Sequence, residues 1–362
     1  MNQLPIANQP SITERRAPGW YPLCLVRELR ERPRRFLIGD VAYVGYRRAQ
    51  QVVVHLDRCP HRNVPLSNGR IIAGCLECPY HGWRFDAEGM CTAIPGRIEA
   101  PKASQRVATY QTHVHHGIVF IGLDVGQDSL PFVAAECSDN SYQHLVRKVV
   151  FPGSMFSVVE NALDVPHTSI LHRGLFRTSS RHQVEVEVRR YSSWIEAEYL
   201  GEPPPQGLVG RLLSSGKNEQ LRVEHFDRFF LPGVIQVEYR LGPRAHLVIT
   251  GYLRPQDQET SEMYAQVSIK TPLWRWLQRM VLFFVEPLAR LILAQDMSIL
   301  RAQAGNLKRF KGPRFMSTEL DVMYTGVSRL LKEATEVEQG NWPERRDSTQ
   351  KPREAHRFFM ES

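Results

Sequence analysis

The chain has 362 residues, a formal net charge of +8, 42% apolar and 23% charged residues, and six cysteines. That composition describes a globular, non-fibrous protein long enough for two domains with full cores. The basic residues are dispersed rather than striped with aromatics, which argues against nucleic acid as a partner. So few cysteines in so long a chain form no disulfide framework and fit a reducing, cytoplasmic setting.

Residues 1–19 read as a polar arm, and "MNQLPIANQPSITERR" has no apolar core of signal-peptide length, so export is not expected. From Trp20 to about Asp124 the chain alternates short β-type runs ("RFLIGDVAYVGYR", "QVVVHLD", "GIVFIGLD") with Gly, Asp and Pro turns. This is the pattern of a small all-β domain, assigned to 20–140. Its densest charge cluster, Arg27, Arg30, Arg32, Arg34 and Arg35, is either a solvated segment or a docking patch for an acidic partner.

The second domain is assigned to 141–335. It opens with two helical stretches, "SVVENALDV" and "HTSILHR", and continues with strands at "HQVEVEVRRY", "SWIEAEYL", "RFFLPGVIQVEYRLG", "HLVITGYLRP" and "MYAQVSIKT". A long helix is expected over about Leu273 to Leu307. Strands in series closed by a helix predict an α+β domain with an antiparallel sheet. Residues 336–362 read as a polar, loose tail. The apolar stretch Met280–Ala294 contains Glu286, Pro287 and Arg290, so no transmembrane segment is expected.

Two features carry chemistry. The first is "CPHRNVPLSNGRIIAGCLECPYHGW", Cys59 to Trp83, with spacing C-x-H and then C-x-x-H. Thiolates and imidazoles together suit structural zinc. Each pair, however, mixes one sulfur with one nitrogen, so each loop can serve two metal atoms. A Rieske [2Fe–2S] centre needs that arrangement, with two cysteines on one iron and two histidines on the other. Cys59, His61, Cys78 and His81 are the candidate ligands. Cys24, Cys75, Cys91 and Cys137 lie outside the pattern and read as ordinary thiols, and His113, His115 and His116 as strand residues rather than ligands.

The second is "ENALDVPHTSILHR", which supplies Asn161, Asp164, His167 and His172. Two histidines and a distant carboxylate can make the facial triad of a non-haem Fe(II) site. His167 and His172 lie about 140° apart on an ideal helix and cannot share a face, so Pro166 must distort it. For the carboxylate, Leu288, Ile292, Asp296 and Ile299 trace an apolar stripe in which an ionised Asp296 needs a partner or a metal. Glu286, beside Pro287, is the rival.

The two motifs together resemble the catalytic subunit of Rieske non-haem iron oxygenases, whose N-x-x-D-x-x-H-x4-H pattern falls on Asn161, Asp164, His167 and His172. The resemblance spans about Trp20 to Gln303. It implies a Rieske domain followed by a helix-grip (START-like) catalytic domain, of the homotrimeric monooxygenase or demethylase type. It further implies iron on His167, His172 and Asp296, with Asn161 close by. Asp164 would bridge the two centres across a subunit boundary, to His81 of a neighbour. O2 would be the co-substrate and NAD(P)H the ultimate reductant, acting through a flavin reductase or ferredoxin. The substrate would be a hydrophobic or aromatic small molecule, met by residues around Val234–Tyr239 and Leu247–Leu253 and by Val158, Val159, Phe283 and Phe284. A Rieske electron carrier with a ligand-binding domain, desaturation and oxidative cyclisation are the alternatives.

Overall fold

The computed structural model describes residues 17–173, 183–203, 223–242, 245–271, 275–336 and 351–361, without the side chains of 275–279, 281, 282, 284, 285 and 361. It divides into two compact units, one of residues 18–132 with 254–257, the other containing 133–253 and 258–362. The sequence places the boundary at 140/141. The division falls earlier because the segment around Cys137 belongs to the second unit, where Gln266 Nε2 donates to Cys137 Sγ at 2.7 Å.

The first unit is all β. Strands β1 (Gly19–Leu25), β10 (Ile118–Leu123) and β9 (Thr112–His115) form one antiparallel sheet. β2 (Arg34–Ile38), β3 (Val41–Arg48) and β4 (Gln51–Leu56) form a second. The third is a short meander of β5 (Arg70–Ile72), β6 (Cys75–Glu77), β7 (Arg84–Phe85) and β8 (Cys91–Ala93). Alternating apolar residues fill two cores. One gathers Tyr21, Leu23, Phe36, Ile38, Val119 and Ile121. The other gathers Val44, Tyr46, Leu66, Leu76 and Phe85 around Cys59 and Cys78. Buried Asp57 holds the chain before Cys59, accepting from the Ser67 amide and hydroxyl at 2.7 Å each.

The second unit is built on an eight-stranded sheet. Its order is β11 (Gln143–Pro152), β17 (Thr260–Lys270), β16 (Ala245–Pro255), β15 (Val234–Leu241), β14 (Val223–Phe230), β13 (Trp194–Leu200), β12 (Gln183–Arg190) and β18 (Glu354–Glu361). One face packs on helices α1 (Met155–Leu163), α3 (Arg275–Arg309) and α4 (Val322–Glu336), through Phe229, Ile235, Leu253, Met263, Leu300 and Leu330 among others. The opposite face is unusually polar. Arg228, buried on β14, donates to Glu196 at 2.5 Å, to Gln236 at 3.1 Å and to Glu238.

Three expectations change. "RFFLPGVIQVEYRLG" is two strands rather than one, with Leu231, Pro232 and Gly233 turning between β14 and β15. The tail is not wholly loose, since β18 pairs antiparallel with β12 and seats Phe358 and Met360 against the core. The buried stripe of α3 includes Leu293, Met297 and Leu300, whereas Ile299 is half exposed. Among the described residues no helix is long and apolar enough to cross a membrane.

Candidate metal centres

In the first unit the two cysteine loops share one backbone frame. In the first, the Cys59 amide donates to Val64 O at 3.0 Å and the Asn63 amide to Cys59 O at 2.8 Å. In the second, the Cys78 amide donates to Trp83 O at 2.8 Å and the Gly82 amide to Cys78 O at 3.1 Å. The residue four past each cysteine is left-handed, Asn63 at φ 61° and Gly82 at φ 69°. At position 82 a Cβ would also sit 2.9 Å from Pro95 Cγ, so glycine is required twice over.

This frame brings the His61 and His81 rings to 4.6 Å between centroids, and Trp83 stacks on His61 at 4.8 Å and 9°. Cys59 and Cys78 are buried and unbridged, while His81 is exposed. Burial pushes the Cys59 thiol up to about 11, with the Cys78 sulfur beside it adding to the rise. A bound cation is what would hold both sulfurs as thiolates. His61 Nδ1 is buried and has no hydrogen-bond partner. A buried ring nitrogen without a partner is costly unless it has a ligand to meet. The four residues therefore fit a Rieske cluster.

In the second unit, Ser154 caps α1 by accepting from the Ser157 amide at 3.2 Å. The helix stops at Asp164, whose φ of −92° and ψ of 91° break the backbone, and Pro166 begins α2 (Val165–Leu171). His172 lies just beyond α2, at φ −104° and ψ 31°. The 140° objection dissolves, because the two histidines do not share one regular helix.

Each imidazole is fixed through Nδ1. His167 Nδ1 donates to the Asp164 carbonyl, and His172 Nδ1 to Gln295 Oε1 at 2.8 Å. Both Nε2 atoms are thereby turned the same way, 3.3 Å apart. Asp296 Oδ1 on α3 completes the group, 3.5 Å from His167 Nε2 and 3.1 Å from His172 Nε2. Ligand bonds of about 2.1 Å at right angles put donor atoms about 3 Å apart, so the trio fits one face of an octahedral ion. Burial opposes the Asp296 charge, but the adjoining His167 and His172 rings lower its carboxyl to about 2. Asn161 Nδ2 reaches Asp296 Oδ1 at 3.5 Å.

Glu286 does not join them; it pairs with Arg147 at 3.1 Å and Arg290 at 2.7 Å. Gln295, the residue that orients His172, was visible in the sequence only as the neighbour of Asp296. The Asp164 side chain is 44% exposed, and burial pushes its carboxyl up against the lowering effect of His167. Beside it, a cavity of about 50 Å³ is lined by Val159, Glu160, Tyr199, Asp321 and Met360, with room for a few waters but no aromatic ring. Burial, reinforced by Asp164 and Asp321, raises Glu160 to about 7.

Of the expected substrate contacts, Val158 and Val159 are core residues, Phe283 is exposed, and the Phe284 side chain lies outside the described residues. On the helix-facing side of the sheet, Val237 and Tyr239 are cross-strand neighbours of Ile249 and Leu247 and form a half-buried apolar row.

An all-β domain with Rieske-type loops, joined to an antiparallel sheet whose helices gather two histidines and an aspartate, defines a two-centre iron protein of the oxygenase class. Comparison with known proteins agrees. Residues 19–111 match the Rieske [2Fe-2S] domain, and residues 154–336, half of the chain, match the vanillate O-demethylase oxygenase C-terminal domain. The chain belongs to the Rieske non-haem iron oxygenases, as a terminal oxygenase component. Aminopyrrolnitrin oxygenase of Pseudomonas fluorescens is 27% identical over 75% of this chain and 80% of that protein. The oxygenase component of dicamba O-demethylase of Stenotrophomonas maltophilia is 32% identical over 47% of this chain, and the match spans 51% of that protein. Crystalline dicamba monooxygenase bound to dicamba superposes with a TM-score of 0.71 at 22% identity, covering 87% of this chain and 96% of that one.

Proposed function

We propose that this oxygenase hydroxylates or demethylates a hydrophobic, aromatic small molecule. The observation that carries the reading is the convergence of His167 Nε2, His172 Nε2 and Asp296 Oδ1 within 3.5 Å of one another. Three ligands on one face leave the opposite face open to O2 and substrate. When bound, the cluster supplies single electrons and the mononuclear iron activates O2 with them. Cys59, Cys78, His61 and His81 hold the cluster, and His167, His172 and Asp296 hold the iron. Gln295 and the Asp164 carbonyl keep the two catalytic imidazoles in the Nδ1–H tautomer, which makes Nε2 the ligand atom. Asn161 steadies the Asp296 carboxylate.

Asp164 is the bridging residue, and its partner is His81 of a neighbouring subunit in a homotrimer. Support comes from the exposure of the two side chains and from Ile170, an apolar residue of α2 that is 81% exposed. The apolar row Val237, Tyr239, Leu247 and Ile249 supports an aromatic substrate, as do relatives named for dicamba and methylxanthine demethylation. Electrons come from NAD(P)H through a flavin reductase, directly or by way of a ferredoxin.

Iron and sulfide analysis of anaerobically purified protein, with spin resonance before and after dithionite, tests the reading. His167→Ala should lose the mononuclear iron while the reduced cluster signal persists. An iron content unchanged by that substitution would sink it. Formaldehyde release from a panel of aryl O-methyl and N-methyl compounds then separates demethylation from hydroxylation.

A further inference from the structure

The first unit carries a basic groove that neither centre uses. It is an open depression of about 530 Å³, lined by Arg32, Arg47, Arg48 and Arg70, with Glu31 the one acidic residue in its lining among the described residues. Arg32, Arg48 and Arg70 are exposed, so their charges meet solvent rather than the core. Among the described residues, only Arg70 of the four is tied to a carboxylate, donating through Nε to Glu77 Oε1 at 2.8 Å.

The position of the groove gives it meaning. β5 lies in its wall and pairs with β6 in the register Arg70↔Glu77 and Ile72↔Cys75. Glu77 is the residue before Cys78, and Arg84, just past the same loop, donates to its other oxygen at 2.8 Å. The packing leaves no slack, since a Cβ on Gly69 would lie 2.0 Å from the Glu77 carbonyl oxygen. A molecule seated in the groove therefore rests on β5, the strand paired with the one that leads into the second cluster loop.

We infer that this groove docks an acidic electron-carrier protein, so that its donor centre comes to rest beside the Cys78–His81 loop. The inference rests on the oxygenase reading, because only a protein with a cluster needs such a donor. A shallow groove of spaced guanidinium groups suits the carboxylates of a protein surface, which bind bidentately and are steered in by long-range attraction. One electron leaves the reduced carrier and one enters this chain; no bond forms and no proton is required.

The probe is an acidic plant-type [2Fe–2S] ferredoxin. Its oxidised form is titrated calorimetrically against the full-length protein at low salt, so that no electron moves. The double variant R32E/R48E should bind at least about tenfold more weakly, with the difference shrinking as salt is raised. R32K/R48K should retain most of the affinity, since lysine keeps the charge. Mixed with ferredoxin reduced by NADPH and its reductase, R32E/R48E should bleach correspondingly more slowly, whereas dithionite should bleach both proteins to the same extent. Equal affinities in wild type and R32E/R48E would overturn the inference. So would tight binding of inorganic pyrophosphate that leaves the ferredoxin affinity unchanged, which would assign the groove to a small anion. A wild type with no dithionite-reducible chromophore would overturn the oxygenase reading, a failure distinct from either.

Discussion

The two units build their centres in opposite ways. In the Rieske unit the four proposed ligands fall between Cys59 and His81, on two loops closed by the same pair of backbone hydrogen bonds. In the catalytic unit the proposed ligands run from His167 to Asp296, and the third arrives on a helix more than a hundred residues away. The histidines differ accordingly. His61 keeps Nδ1 without a partner, whereas His167 and His172 spend Nδ1 on a carbonyl and an amide and present Nε2. The first centre is a property of local loop geometry. The second is a property of how α3 lies against α2.

The sharpest way to break that comparison is to remove the ligand that comes from afar. Asp296→Asn should reduce turnover below detection while the spin-resonance signal of the reduced cluster stays at full strength. A cluster signal that fell in step would show the two centres to be interdependent. Next in size is Gln295→Leu, which keeps every ligand but frees the His172 ring. Loss of such an orienting partner should lower iron affinity or turnover about 10–100-fold, read from iron titration of the apo-protein. No change would mean that the ring is held by packing alone.

For the Rieske unit, Gly82→Ala forces a side chain into the left-handed region and against Pro95. A cost of about 1–2 kcal/mol should appear as faster cluster loss on warming, with mononuclear iron retained at first. The smallest effect concerns the catalytic sheet. His225 is buried between Glu202, at 2.6 Å, and Asp227, at 3.1 Å. Burial opposes its charge, but the two carboxylates raise it to about 9. Because the folded value lies above the ordinary one near 6.5, the stabilisation is complete below about pH 6.5 and is lost as pH rises through about 9. Thermal melts should therefore fall over that window in wild type and flatten in His225→Asn.

Legibility followed chain distance. The Rieske domain was legible because its candidate ligands are near neighbours in the chain and their spacing is a motif. The helical break at Pro166 was readable for the same reason. Asp296 was reachable as a buried acid on an apolar helix, although the stripe used to find it was partly misplaced, with Ile299 turned outward and Leu300 inward. Gln295 gave no usable signal, since its role depends on the rotation of α3 that aims its amide at His172. β18 did leave a trace, the alternation of His356, Phe358 and Met360, but the surrounding charges masked it.

By itself, then, the sequence determined the two ligand motifs, the all-β character of the first unit and the α+β class of the second. Each of these is set by interactions over a few residues: loop spacing, side-chain period and the punctuation of glycine and proline. The tertiary structure alone decided how closely Asp296 approaches the two histidines, which amide fixes the His172 tautomer and which strand closes the sheet. These depend on surfaces that meet only after folding, when burying apolar faces sets the rotation of a helix and the register of a strand.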